Sequence, residues 1–433
     1  PPAARCSNNK KLTHTSLEER TMQRKLTKLL GALALGISFT ATAASADPVT
    51  VFHDKPFYQS GWDGLSATAK EDGVDLEFSA YATDQFQAYI QSSLMSGDAP
   101  QAFTWWNGTK LKEIVDSGQL APLDDLWAKK IASGEYDASA AEPFTVDGHI
   151  YGLPTGLNRW VVLYNKALFE KAGIDKVPST WVELVAAADK LKAAGITPFN
   201  ATIQDGWRGF IWFEELLIRT NPEAYIALNE GKLKYTDEPI QNVFKIWNEF
   251  YEKGYFTDPA SQEEPLDFAR GKGAMYLAGD WAIGLVEKGG LKAGTDFGGF
   301  IMPNVDPSLP NAVIVEGGPI VITKAGMENP DVVKFADWYM GEKAMNSWAK
   351  DPGLYAGNNK AAKPNTIVDE LAKVAADGKY RSMVRYWEAS PSEIVLPAVE
   401  EFNRFMTNPS PEQAQKAMEN IEAIASQYWA SKQ

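Results

Sequence analysis

Cysteine is all but missing from this 433-residue chain, where Cys6 stands alone. A single thiol closes no intrachain disulfide, so a disulfide-stapled scaffold is excluded, and cysteine-built zinc sites with it. Histidine is nearly as scarce: beyond the leader region only His53 and His149 occur, and they do not show zinc-ligand spacing. Gly271-Lys272-Gly273 lacks the longer glycine-to-lysine spacing of a phosphate-binding loop. The charge-free apolar run Leu29 to Phe39 is too short for a membrane span, which needs about 20 residues. A basic block is also absent, and the net charge is −14. That balance argues against nucleic acid and against anionic membrane surfaces.

What is present begins with Met22-Gln-Arg24-Lys25-Leu-Thr-Lys28, a basic segment ahead of the apolar run, followed by Ala44-Ser45-Ala46. This order predicts a secretory signal peptide over 22–46, cleaved after Ala46. Residues 1–21 lack leader character and read as an upstream extension that is not native. Cleavage leaves 387 residues, a length that predicts two domains. It also removes Cys6, and with it any thiolate nucleophile. With no cysteine at the cleavage site there is no lipid anchor, so the expected product is a soluble periplasmic protein. Setting aside the seven Lys/Arg and two Asp/Glu before Asp47, the remainder carries −19. All 14 tryptophans follow residue 46. That is more than a core of this size needs, and the surplus suggests aromatic surfaces in a groove.

Val49–Phe52 alternates like a strand and ends in polar His53-Asp54-Lys55. Helical spacing follows from Trp62 to Asp72, then a strand at Asp75–Ser79, a helix at Gln85–Met95 and a short strand at Ala102–Thr104. The alternation predicts an α/β fold with a largely parallel sheet. It restarts with strand Arg159–Tyr164, helix Lys166–Gly173 and a long helix capped by Pro178-Ser-Thr180. The last hundred residues read as mainly helical. Within Gly271–Gly284, a strand at Ala274–Ala278 meets Gly279, then Asp280 and Trp281. Gly279 is expected to make a sharp corner at positive φ. A carboxylate beside an indole suits a ligand with many hydroxyls around an apolar ring face, meaning a sugar.

Several segments together resemble extracellular solute-binding protein family 1 of ABC importers, the maltose-binding-protein-like group. They are Leu94–Gly108, Gly148–Gly156, Val161–Ile174, Pro178–Leu184, Phe268–Gly284 and Glu316–Met340, with Tyr164-Asn165-Lys166 and Gly279-Asp280-Trp281 the most specific. The sequence departs from many relatives at Asn158-Arg159-Trp160, which bears on which sugar is bound. The resemblance implies a two-lobed periplasmic binding protein fold of type II with the ligand between the lobes. Mapped onto this chain, one lobe spans 47–154 and 312–375 and the other 155–311 and 376–433. It further implies hinge closure on a saccharide and delivery to a membrane permease, by a monomer without cofactor or metal.

Ligand loops in open α/β sheets follow the C-terminal strand ends. The candidate residues are Asp54, Lys55 and Tyr58; Trp105, Trp106 and Asn107; Asn158, Arg159 and Trp207; Asp280 and Trp281; Glu316, Gly317 and Gly318; and Trp387. Trp105 and Trp106 are neighbours on an extended segment and point opposite ways, so at most one lines the cleft from the strand. Arg159 equally suits a surface ion pair, Lys55 and Glu316 suit solvated loops, and Trp387 suits a core. A secreted glycoside hydrolase would need two carboxylates facing across the cleft. The adjacent acidic pairs, such as Asp124-Asp125 and Glu400-Glu401, point apart, so a non-enzyme is expected. A binding protein for a non-sugar solute, or for an acidic sugar held by Arg159 or Lys55, is the other alternative. N-terminal sequencing of exported material should begin at Asp47, and residues preceding Asp47 would refute the assigned cleavage.

Overall fold

A computed structural model describes residues 48–376 and 379–432. The leader and the segment before it lie outside the described residues.

Strand β1 (Val49–His53) keeps the alternation its sequence suggests, with Val49, Val51 and His53 buried. β2 (Leu76–Ala80) and β3 (Ala102–Thr104) pair parallel on either side of it. Helices Gln59–Glu71 and Thr83–Ser96 carry the chain back between them, as parallel pairing requires. A small hairpin, β4 (Thr145–Val146) and β5 (His149–Ile150), precedes β6 (Gly152–Pro154).

The second sheet uses β7 (Asn158–Asn165), β8 (Phe199–Asn200), β9 (Met275–Gly279), β10 (Phe297–Phe300) and β11 (Ala312–Glu316). β12 (Pro319–Ile322) returns to the first sheet, giving the order β2-β1-β3-β12-β6. β13 (Arg381–Val384) completes the second, in the order β13-β11-β7-β9-β8 with β10 also on β7. Both sheets are mixed: β12 runs against β3 and β6, and β7 against β9, β10 and β11. They are therefore less parallel than the strand–helix alternation suggests. β13 is an addition to the helical C-terminus expected from the sequence. It is a short edge strand with three of its four residues exposed, and so has little apolar pattern to betray it.

Local chemistry explains several boundaries. Thr180 and Glu183 form a reciprocal capping box at the start of helix Trp181–Ala193. Asn165 caps helix Lys166–Lys171 by accepting from the Leu168 N–H at 3.1 Å. The strand-to-strand links between sheets fall at 155–157 and at Gly317-Gly318. Ala312–Glu316, expected in the first lobe, pairs with β7 and β13 and belongs to the second sheet. Helix Thr366–Ala376, also expected largely in the first lobe, packs on the second sheet. Its apolar Ile367 and Leu371 lie over Gly299 of β10.

Seven of the 14 tryptophans (62, 105, 127, 160, 212, 247 and 348) are at most 2% exposed, so half of them are core. Among the described residues no helix is long and apolar enough to cross a membrane.

Gly317 is required by proximity. A Cβ there would stand 2.7 Å from the Gly156 carbonyl oxygen on the other link. Gly317→Ala should cost about 1–3 kcal/mol. It should lower the urea midpoint at unchanged slope, and an unchanged midpoint would contradict the close approach.

Candidate functional site

The loop after β1 turns inward. His53 is buried and accepts the Lys55 N–H on Nδ1 at 3.1 Å. Burial, then the Lys55 charge, lowers its pKa to about 4, leaving it neutral. Its ring lies 5.0 Å from Trp62, so its role is in packing. Asp54 is 5% exposed, accepts from the Thr104 hydroxyl at 3.1 Å and pairs with Lys55 Nζ at 2.7 Å. Lys55 is thus partnered rather than solvated. Tyr58 ends a short 3-10 turn, Pro56–Tyr58, and is 4% exposed. Its hydroxyl pKa is driven upward by burial, then by Glu316 and Asp280 of the other lobe. These groups from both lobes therefore converge.

The loop after β3 separates its two indoles. Trp105 is core: it is 1% exposed, its Nε1–H donates to the Lys110 carbonyl at 2.9 Å, and it packs on Phe86 and Phe103. It therefore packs in the core and is not brought to the junction. Trp106 faces the junction between lobes, where the Lys55 and Lys110 ammonium groups lie 6.0 and 5.6 Å from its ring centroid. Asn107, 1% exposed, precedes helix Gly108–Val115, and its Oδ1 is buried without a hydrogen-bond donor.

Lys110 looked like an ordinary helix-surface lysine, yet it is fully buried. Its ammonium donates to Ser392 Oγ at 2.8 Å and stands 5.1 Å from the Trp387 ring centroid, so it lies near the indoles of both lobes. Burial pulls its pKa down. Next to it, Thr109 Oγ1 donates to the Ala389 carbonyl at 3.0 Å.

On the second sheet, Asn158 of β7 stands opposite Glu316 of β11. Alternation puts Trp160 on that same face and Arg159 on the other. Among the described residues Arg159 forms no ion pair, and its Nε and Nη1 are buried without an acceptor. Its carbonyl accepts the Asp280 N–H at 2.8 Å and its charge bears on the Asp280 carboxyl, so it is brought to the junction beside Asp280 rather than beside Asn158 and Glu316. Glu316 is 7% exposed and forms an ion pair with Arg385. Arg385 Nε also donates to Glu388 Oε2 at 2.8 Å. Burial raises the Glu316 pKa, and Arg385 opposes the rise. Glu214 accepts the Tyr386 N–H at 2.6 Å and so fixes the backbone beside Arg385.

Asp280 is 4% exposed, and burial raises its pKa to about 7 against the pull of Arg159, with Glu316 adding to the rise. Trp281, 8% exposed, meets the rings of Trp160 and Trp207 at 6.4 and 6.5 Å. Gly279 differs from expectation: it lies in β9 and is not among the positive-φ residues. Its need for glycine is spatial. A Cβ would run into the Trp281 indole and come within 3.1 Å of Glu316 Oε1. Gly318 lies beside Thr155 and Lys55, whose Cε would be 3.7 Å from an added Cβ. Trp387 reaches Phe210 at 6.1 Å, and Phe210 in turn reaches Trp207 at 5.9 Å. These contacts join the candidates into one aromatic wall.

The structure thus gathers Asp54, Lys55, Tyr58, Trp106, Asn107, Asn158, Arg159, Trp207, Asp280, Trp281, Glu316, Gly317, Gly318 and Trp387 around the junction. Sequence reasoning missed Lys110, Arg208, Arg385, Glu388 and Glu214. The quartet Arg385-Tyr386-Trp387-Glu388 was the available signal for two of them.

The model of the bacterial extracellular solute-binding protein family matches residues 66–377, well over half of the chain. The chain belongs to that family. An uncharacterised ABC transporter extracellular-binding protein of Pyrococcus horikoshii is 29% identical to this solute-binding protein over 224 residues, which is 49% of each chain. A probable sugar-binding periplasmic protein of Brucella melitensis is 26% identical over 294 residues, covering 62% of this chain and 68% of that one. The alignments with the first archaeal relatives span about half of those proteins' length. In three dimensions the solute-binding protein resembles the bacterial solute receptor AcbH, described as having an exclusive preference for β-D-galactopyranose. The TM-score is 0.76 at 22% identity, over 88% of this chain and 99% of that one. A likeness of that degree shows the fold.

The raised carboxyls of this solute-binding protein set a pH dependence. Asp280 stays protonated in the folded state to about pH 7, whereas the unfolded chain loses that proton near pH 4. The stability it contributes is full below about pH 4 and is lost as pH rises toward 7. Asp280→Asn should therefore stabilise the protein by a few kcal/mol relative to wild type at pH 8, with the gain shrinking toward pH 5. Urea unfolding at each pH tests this, and parallel stability curves would refute the assignment.

Proposed function

We propose that this protein captures a sugar in the exported compartment, closes its two lobes about the links at 155–157 and 317–318, and presents the closed form to an ABC permease. The observation that carries the reading is the convergence of indoles and hydrogen-bonding side chains from both lobes at one buried junction. Trp207 and Trp281 offer flat apolar faces, and Tyr58, Asp54, Asn107, Asn158, Asp280 and Glu316 ring them with acceptors and donors. Hydrogen bonds to charged partners are worth about 1.5–3 kcal/mol, and a group left unpaired on closure costs about as much. A site of this kind accepts one pattern of hydroxyls and rejects its near relatives. Membership of the solute-binding family and the likeness to a probable sugar-binding periplasmic protein point the same way.

A binding role also fits the state of the carboxylates better than hydrolysis does. Glu316 is engaged by Arg385, and a general acid or nucleophile in the manner of a glycosidase would need two carboxyls free to meet the glycosidic bond.

A thermal-shift screen over mono- and disaccharides, neutral and acidic, should find at least one that raises the melting temperature. Small-angle scattering should show compaction with the same sugar. Trp281→Ala should weaken its binding by about 30-fold or more, equivalent to about 2 kcal/mol, while the protein stays folded. No stabilisation and no heat for any saccharide would end the sugar reading.

A further inference from the structure

Arg208 follows Trp207 in the loop that enters helix Phe210–Thr220 and is 6% exposed. Its guanidinium carbon lies 4.5 Å from the Trp207 ring centroid and 5.9 Å from that of Trp281. Nη1 donates to Glu264 Oε2 at 3.1 Å, and Nη2 stands 3.7 Å from Asp205 Oδ2. Glu264 is itself 5% exposed and begins helix Glu264–Ala269, where its backbone N–H donates to Gln204 Oε1 at 3.3 Å. Glu264 therefore holds both the guanidinium and the loop that carries it. The buried Tyr276 hydroxyl borders the same pair.

We propose that Arg208 and Glu264 are a positioning pair for the Trp207–Trp281 platform. The inference rests on the reading of those two indoles as sugar-facing. The guanidinium lies over the Trp207 ring and stands beside that of Trp281, backing the platform from the side away from a bound sugar under this proposal. Glu264 sets the plane of the guanidinium through the Nη1 hydrogen bond and neutralises its charge where water is excluded. A lysine would keep the charge but lose the planar surface that stacks on an indole. Trp207 and Trp281 are tilted by 56°, so they do not sandwich a ring between parallel planes. Their relative angle is instead something a backing group must maintain. Trp160 meets Trp281 nearly perpendicularly at 79° and braces it from another side.

The test is a double-mutant cycle by calorimetry on the full chain with D-galactose, D-glucose, maltose and raffinose. Arg208→Met and Trp207→Ala should each weaken the tightest of these sugars about 10- to 100-fold, with stoichiometry near one per folded molecule. The double variant should bind within about threefold of the weaker single, because both changes remove the same platform. A purely structural role would lower the melting temperature and the active fraction but leave the affinity of that fraction unchanged. That result would overturn the proposal, as would losses that multiply in the double variant. If Arg208→Met does not fold, Arg208→Lys keeps a cation beside Glu264 and should still lose affinity about 3- to 30-fold. Wild-type affinity in Arg208→Lys would overturn the assignment. Sugar binding that survives every Arg208 change sinks this inference alone, whereas no binding by the wild type to these sugars or to any saccharide of the wider screen sinks it together with the sugar reading.

Discussion

The buried ion pair between Glu316 and Arg385 is the constraint around which the junction is organised. Glu316 is the last residue of β11, one step before the chain crosses to the first sheet, and Arg385 follows β13, the neighbour of β11. Moving either charge out of water costs several kcal/mol, and mutual attraction offsets this only when the remaining donors and acceptors are also met. Glu388 takes the Nε–H of the same guanidinium, and Glu214 holds the adjacent backbone. The guanidinium lies about 6 Å from the ring centroids of Trp160, Trp207 and Phe210. Losing one partner would leave a desolvated charge against an aromatic wall. The strand end, the crossing and that wall are consequently held in one mutual arrangement.

Much of the architecture was legible because it follows from short-range rules. Apolar alternation located β1, short apolar runs located β7 and β9, and Pro178-Ser-Thr180 marked the start of helix Trp181–Ala193. What was not legible depends on residues far apart in the chain. The shift of Ala312–Glu316 to the second sheet depends on pairing with Asn158 and Arg159, more than 150 positions earlier. No local pattern encodes that.

The candidate site divides in the same way. Asp280 and Trp281 stand out because a glycine precedes them, although the reason for the glycine is crowding by an indole and a carboxylate rather than a backbone turn. Trp105 and Trp106 show the limit of alternation. It says that the two side chains diverge but not which goes inward, and only packing against Phe86 and Phe103 decides it. Arg159 and Asn158 present the same ambiguity on β7. Lys110 is the clearest omission, because a lysine in Gly108–Val115 resembles any solvated helix residue until a second lobe covers it.

That lysine has a consequence for how the molecule works as a transporter component under the proposed function. Trp106 and Lys110 come from one lobe and Trp387 and Ser392 from the other, so closing the lobes strips the ammonium of its water shell. Ring faces, the Ser392 hydroxyl and the charges of Glu113, Glu388 and Glu393 replace that hydration only in part, since burial outweighs them and lowers the lysine's pKa. Under that proposed closure the shut form would carry a bias toward reopening, which a correctly fitted cargo would overcome, and rehydration of a single cation would help return the receptor to its receptive shape.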